Sequence, residues 1–535
     1  MSASGEVATA RHGGPFVPQG KQARDSARSA SALGRLLGRL FSFPVFLGVL
    51  LFAGAFFGTL AEGKKGGTLF GEGDTWWHIR AGEEMLDTYQ VPHRDSYSWT
   101  AAGAEWIAYE WVGEVAMAAV YRAGELRGLK VFQLLLTGGM LVLLYAYATM
   151  RCGNAKAAFV VCALAVPVTA VFCSLRPQVM GYIFFLVVLM ILEQFRRGKS
   201  GALWFLPLLF VVWVNTHGTF VFGLLAIGVA WACGLRPFHR GGIENAVWTG
   251  GQRRRLELAA LASMLGLCLT PYSTRLAAYP LDIGFLQPLN IASIQEWMPL
   301  PTERFLGLVV FGSLLALLLF QILQPFRCRP DDLILLAIAA ILAILHIRFV
   351  PLFLIISVPL LSIPVARWLP RYDAGRDRYA LNAGLIAALA AAMGCSVPAE
   401  WQLQRAFAAS FPVAAIEYLR AHPDDGPLFN EYGWGGYLAW AHVPARGVFI
   451  DGRADIYERA GVLGDYLTIT GLEPGAFGLL GKYGIRACLL QPDAPLSTAL
   501  AESPEWERAY SDSVSVVYVR RVIPPGTNVS ALANP

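Results

Sequence analysis

From residue 44 onward the chain alternates long apolar runs with short polar, mostly basic stretches. The runs fall at 44–61, 129–149, 157–174, 179–195, 202–215, 218–235, 256–270, 305–323, 332–346, 349–366 and 380–397. A helix needs roughly 20 mostly apolar residues to cross a bilayer, so the pattern predicts about eleven transmembrane helices over 44–397. Residues 1–43 are rich in Ser, Ala, Gly and Arg without an apolar face, which reads as a disordered basic tail. The first run is long and follows that basic tail, unlike the short apolar core of a cleaved signal peptide, and reads as an uncleaved anchor. Beyond residue 397 the pattern changes. Helical spacing at Val413–Ala421 and 474–482 alternates with β-rich runs at 447–451, 485–490 and 514–519, divided by Gly, Pro and Asp turns. Residues 398–523 read as a small soluble α/β domain and 524–535 as a frayed end.

Composition agrees with a polytopic α-helical membrane protein. Of 535 residues, 55% are hydrophobic and 15% charged, against about 25% charged in a soluble chain, and the mean hydropathy is +0.48. A net charge of +5 is mild and gives no sign of a nucleic-acid partner. Its placement carries more. With a cytosolic N-terminus, every cytosolic segment (11–39, 151–156, 196–199, 236–255, 327–329 and 367–378) is basic. The opposite turn 215–218 has no Lys or Arg, and 271–304 has only Arg275 and Arg304. This bias orients the chain and predicts a multi-pass protein of the cell (inner) membrane, with the 62–128 loop and the C-terminal domain on the periplasmic or extracytoplasmic side. Eight cysteines without a CxxC pair support neither a disulfide framework nor a zinc site.

The first outer loop, 62–128, gathers acids, histidines and aromatics: Glu72, Asp74, Trp76, Trp77, His78, Glu83, Glu84, Asp95, Tyr97, Trp99, Trp106, Tyr109, Glu110 and Trp111. Trp76, Ile79, Met85 and Leu86 share one helical face, with Arg80, Glu83, Glu84 and Asp87 largely opposite, which suits a helix lying in the headgroup zone on aromatic anchors. Anchoring needs no carboxylates, so the acids are candidates for chemistry.

The run Gly73-Asp74-Thr75-Trp76-Trp77-His78-Ile79-Arg80 after the first apolar segment resembles the first outer loop of oligosaccharyltransferase catalytic subunits, members of the GT-C class of membrane glycosyltransferases. Three further stretches follow in order. Ser293-Ile294-Gln295-Glu296 resembles the family's serine-valine-x-glutamate motif. Arg348, in His346-Ile347-Arg348, sits where the family has an arginine for the donor phosphate. Phe429-Asn430-Glu431-Tyr432-Gly433-Trp434-Gly435-Gly436-Tyr437, trailed by Asp451-Gly452-Arg453, resembles the WWDYG region. Two departures matter. The tryptophan pair is Phe429-Asn430 and the aspartate is Glu431, so recognition of an Asn-x-Ser/Thr site is not carried over. The paired-acid motif of the second outer loop is absent, and Arg176 stands there instead.

The resemblance implies a GT-C-like fold and transfer of a sugar or oligosaccharide from a polyprenyl-phosphate-linked donor to a glycan, lipid or protein acceptor at the outer face. It implies catalytic roles for Asp74, Glu296 and His78, donor-phosphate binding by Arg348 and Arg176, and acceptor contacts from Glu431, Tyr432, Trp434 and Tyr437. A divalent cation (Mg or Mn) would be held by Asp74, its shell completed by acids such as Glu84, Asp95 or Glu110. Alternatively the cations of Arg176 and Arg348 replace it. His217 falls at an outer span end, as packing or as a phosphate contact. A non-catalytic membrane scaffold and a lipid or glycan transporter in envelope polysaccharide assembly are the competing classes. Paired half-repeats and mid-span ionisable residues, common in transporters, are not evident.

Overall fold

The computed structural model describes residues 32–63, 72–172, 174–423, 426–443 and 447–521. Most of the expected 1–43 tail and all of the expected frayed end 524–535 lie outside the described residues.

Each of the eleven apolar runs coincides with helix: Phe43–Gly63, Trp111–Cys152, Ala155–Phe172, Pro177–Arg196, Leu206–Val214 after a 3-10 turn, Phe220–Cys233, Gly250–Gly266, Phe305–Leu323, Pro330–Leu345, Val350–Val365 and Tyr379–Ser396. Six are long and apolar enough to cross a membrane, those at 43–61, 111–152, 177–196, 305–323, 347–365 and 379–396. Most of the others are shorter. At about 1.5 Å per residue, the 14 residues of Phe220–Cys233 do not reach the roughly 30 Å of hydrocarbon. The helix expected at 129–149 starts earlier, at Trp111, and its helical dihedrals break at Gly124 and Glu125, the latter at φ 50.

The apolar helices differ in what covers them. Val350–Val365 is central: it packs on the 111–152, 155–172 and 330–345 helices and buries nearly all its side chains. Phe305–Leu323 and Tyr379–Ser396 are peripheral and leave most of theirs uncovered, as expected where lipid replaces protein as the apolar neighbour. At one end of the bundle, buried ion pairs join helices that are distant in sequence. Arg151 forks onto Asp332 at 2.9 and 2.6 Å, Arg329 meets Glu193 at 2.7 Å, and Arg196 meets Asp331. Such charges are held only because each finds its partner.

At the other end, the first loop and the C-terminal region build one layer. Its sheet has four strands; β1 (His239–Arg240) and β2 (Ile243–Glu244) are a separate hairpin of two-residue strands. Strand β3 (Leu428–Asn430) runs parallel to β4 (Ala487–Leu490), with Leu428 beside Ala487. β6 (Val516–Arg520) pairs antiparallel with β4, and with β5 (Trp506–Ser511) across a bulge near Arg508. The runs expected at 485–490 and 514–519 are thus β4 and β6. The run at 447–451 is no strand. Its backbone bonds to the first loop instead, Val448 N–H donating to Tyr97 O at 2.9 Å and Trp99 N–H to Val448 O at 3.1 Å, and Asn430 Nδ2 donates to Ile450 O.

The aromatic face of the Asp74–Thr88 helix is covered by protein. Trp76 is 2% exposed and packs on Phe407, Tyr437 and Trp440 at ring-centroid distances of 4.8, 5.6 and 5.0 Å. The aromatics expected as anchors are core residues, because the C-terminal layer covers that face. The Gly-rich aromatic stretch is likewise a helix, Tyr432–Trp440, seated against the Asp74–Thr88 helix. A Cβ on Gly73 would lie 2.1 Å from Gly433 O, and one on Gly436 2.4 Å from Gly73 O, so these glycines allow two backbones to touch.

Candidate functional site

Asp74 opens the Asp74–Thr88 helix, where the unpaired N–H groups and the helix dipole favour a carboxylate. Arg176 precedes Pro177 in extended backbone, at φ −135 and ψ 152, as the residue before a proline is pushed to be. Its guanidinium reaches three acids: Asp74 Oδ2 at 2.9 Å, Glu296 Oε1 at 2.6 Å and Glu72. Asp74 Oδ1 accepts from Trp77 Nε1 at 3.2 Å. One guanidinium cannot neutralise three carboxylates. Burial, with repulsion from Glu72 and Glu296, therefore pushes the Asp74 carboxyl up to about 7 against the pull of Arg176 and Trp77. Glu72, one of the first-loop acids, is the third carboxylate of this cluster, without a motif of its own to mark it.

A Cβ at Gly452 would sit 1.6 Å from Asp74 Oδ1. Gly452→Ala therefore displaces the Asp74 side chain or the 451–453 backbone, at an expected cost of about 1–3 kcal/mol from overpacking. Gly478, which has open space around its Cβ position within the Ala476–Lys482 helix, is the control: Gly478→Ala gains about 0.5–1 kcal/mol. Melting temperatures should move in opposite directions; a fall for both, or for neither, contradicts the packing at Gly452.

Arg348 lies in the 3-10 turn Ile347–Phe349. Its guanidinium stacks 4.2 Å over the Trp297 ring, next in sequence to Glu296, and its carbonyl accepts from Tyr182 Oη at 2.9 Å. His346 Nδ1 lies 2.6 Å from Trp297 O, which fixes the Trp297 loop to the same turn. No ion pair to Arg348 occurs among the described residues, while both terminal nitrogens of Arg176 are taken by carboxylates.

His78 is buried, with Nδ1 3.2 Å from Glu114 Oε1 and Nε2 3.5 Å from Glu110 Oε2. His217 Nε2 lies 3.2 Å from Glu110 Oε1. Burial, further assisted by Asp74 and Asp455, raises the Glu110 carboxyl to about 8 against Arg176 and Arg348. Burial and the same two arginines lower His217 to about 3. His78 falls for the same first reason, with Arg176 and His217 adding to it. Glu114 had not been singled out, because the helix it opens was expected only from residue 129.

The remaining expectations divide. Glu84 accepts from Tyr97 Oη at 2.7 Å. Asp95 caps the Tyr97–Ser98 turn and pairs with Arg453. Both are structural, and neither completes a shell at Asp74. Trp434 and Tyr437, at 5% and 6% exposed, are core residues and leave no stacking face for an acceptor. Tyr432 Oη donates to Gly452 O at 3.1 Å beside Asp74. Glu431 is partly buried near the Gln491 N–H, and burial raises its carboxyl. At Asp74, Oδ1 accepts from Trp77 and Oδ2 pairs with Arg176, which already brings a positive charge there. The set of His78, Glu110 and Glu114 fits a metal ion: their donor atoms lie within 4.8 Å of one another, and Glu114 Oε2 is buried without a hydrogen-bond partner among the described residues.

Fold and site together define a mostly helical protein, with six helices long and apolar enough to cross a membrane, that carries a carboxylate–guanidinium centre where the bundle meets the sheet-bearing layer. No family model and no curated protein matches the chain. Among solved structures it is similar to the Archaeoglobus fulgidus oligosaccharyltransferase tethered with an acceptor peptide containing the NVT sequon, with a TM-score of 0.49 and 13% identity over 91% of this chain and 76% of that one. The oligosaccharyltransferase AglB of the same organism, in complex with an inhibitory peptide and a dolichol-phosphate, gives 0.48 and 12% over 86% and 72%. The apo form gives 0.48 and 10% over 90% and 75%.

Proposed function

We propose that the chain is a membrane glycosyltransferase that moves a sugar or oligosaccharide from a polyprenyl-phosphate-linked donor to an acceptor at the outer face of the membrane. The observation that carries this reading is that Arg176 gathers Asp74 and Glu296, far apart in sequence, onto one guanidinium, while Arg348 stacks on Trp297, next in sequence to Glu296, without a carboxylate partner among the described residues. A guanidinium held this way suits a phosphate.

The reaction exchanges one bond at the anomeric carbon. The acceptor heteroatom attacks that carbon, its proton passes to the Asp74 carboxylate, and the carbon–oxygen bond to the donor phosphate breaks. The negative charge that grows on the phosphate is met by Arg348, with Arg176 behind it. Glu296 and Glu72 hold Arg176 in place, and Trp77 orients Asp74 through its hydrogen bond. His78 stacks on Trp77 at 3.6 Å between ring centroids and supports that orientation. A lipid or glycan acceptor is favoured over a protein sequon, since Trp434 and Tyr437 are spent in the core. The basic flanks of the apolar helices are consistent with an inner-membrane protein that turns this centre outward.

Purified chain in lipid nanodiscs, given polyprenyl-phosphate-linked sugars, tests the reading. Asp74 must be ionised to act as the base, and its carboxyl is raised to about 7. The rate should climb with pH through that value and level off above it; a rate flat from pH 5 to 9 contradicts this role. Arg348→Ala should raise the donor KM about 10–100-fold, the loss of one or two charge-assisted hydrogen bonds, and an unchanged KM would remove Arg348 from the donor site.

A further inference from the structure

We propose that His78, Glu110 and Glu114 form a binding site for a divalent transition-metal ion, separate from the Asp74–Arg176 centre and steadied by His217. The donors come from two elements fixed independently. His78 projects from the Asp74–Thr88 helix, while Glu110 and Glu114 stand one turn apart at the start of the Trp111–Cys152 helix, Glu114 N–H donating to Glu110 O at 3.0 Å. All three are at most 6% exposed.

The hydrogen bonds around the cluster leave one buried carboxylate oxygen open to a cation. His217 Nδ1 accepts from the Thr219 backbone N–H at 3.1 Å, so in the neutral ring the hydrogen is on Nε2, which points at Glu110 Oε1. That tautomer makes His217 an orienting partner and not a ligand, leaving Glu110 Oε2 toward His78. A neutral His78 carries one N–H but has a carboxylate at each nitrogen. Glu114 Oε2 has no hydrogen-bond partner among the described residues. Two carboxyl groups and one imidazole thus converge in a site without solvent, with a buried carboxylate oxygen left open to a ligand. A divalent ion would be held there by the two carboxylates and one ring nitrogen of His78.

Ligand chemistry narrows the ion. One imidazole with two carboxylates is a set for zinc or manganese, whereas magnesium prefers oxygen donors and retained waters. The site stands on its own residues and does not depend on the glycosyl-transfer reading.

The test is metal content. Full-length protein in detergent, stripped with chelator, is incubated with Zn²⁺, Mn²⁺ or Mg²⁺ alone, freed of excess and measured by mass spectrometry, with melting temperature recorded in parallel. Wild type should hold one Zn²⁺ or Mn²⁺ per chain and melt higher with it. The isosteric Glu114→Gln and Glu110→Gln variants should hold less than a tenth of that at the same free metal. His217→Ala should bind about 10–100-fold more weakly, and Asp74→Asn should bind as wild type. A folded wild type with no stoichiometric metal and no melting shift overturns the proposal, and so does metal that persists in Glu114→Gln. Loss of metal in Asp74→Asn, or occupancy by Mg²⁺ alone, overturns it as well.

Discussion

Arg453→Met should destabilise the protein by about 3–5 kcal/mol, the usual cost of removing one member of a buried ion network. The Arg453 side chain is 1% exposed, with Nη1 2.7 Å from Asp95 Oδ1 and Nη2 2.6 Å from Asp451 Oδ2, and both carboxylates are fully covered. The guanidinium also lies 4.7 Å from the ring centroids of Tyr97 and Trp106. Without the arginine two carboxylates are stranded in a core that cannot solvate them. The triad ties the first loop to the C-terminal layer, so the loss should show as a lower melting temperature and as faster proteolysis of the loop. Replacing Asp95 and Asp451 by Asn in the same chain should recover most of the loss, because the stranded charges are then gone. A single Arg453→Met variant that melts like wild type would mean the two regions are joined some other way.

Asp74→Asn should act in the opposite sense, sparing the fold and removing the chemistry. An amide keeps an oxygen for the Trp77 N–H and relieves the crowding of three acids around Arg176. Melting temperature should stay level or rise, as it does when a site strained for function is relaxed. The amide cannot take a proton, and transfer should fall about 10²–10⁴-fold, the range for loss of a general base. A fall in melting temperature that accounts for the lost activity would make Asp74 a structural residue only.

How far the site was legible depended on what each residue borders. Asp74, Glu296 and Arg176 are legible through the family resemblance of their loops, and Arg348 also because an ionisable side chain between two apolar segments is costly without a purpose; the first three do meet. Glu72 and Glu114 did not stand out. Glu72 looked like one more loop acid, and Glu114 belongs to a helix whose polar first turns, from Trp111, hide its start. With that start recognised, the i, i+4 spacing of Glu110 and Glu114 would have placed both on one face. The aromatics misled for a different reason. Trp76, Trp434 and Tyr437 have the same composition signature whether they anchor in a headgroup layer or fill a core, and only packing decides. The glycines of 433–436 pose the same ambiguity, fitting an open turn and a close helix contact equally well. The short strands were legible where apolar throughout, as in β4, and missed where the edge strand β5 carries Glu507 and Arg508 to solvent.

The measurement that bears most directly on the proposed activity is a single-turnover assay in nanodiscs with a radiolabelled polyprenyl-phosphate-linked sugar, run on wild type and Asp74→Asn side by side. The account predicts label moving to an acceptor with release of polyprenyl phosphate in the wild type, and at least 100-fold slower transfer in a variant that folds equally well. Equal rates in the two proteins, or no transfer by folded wild type from any polyprenyl-phosphate donor offered with lipid and glycan acceptors, would contradict it.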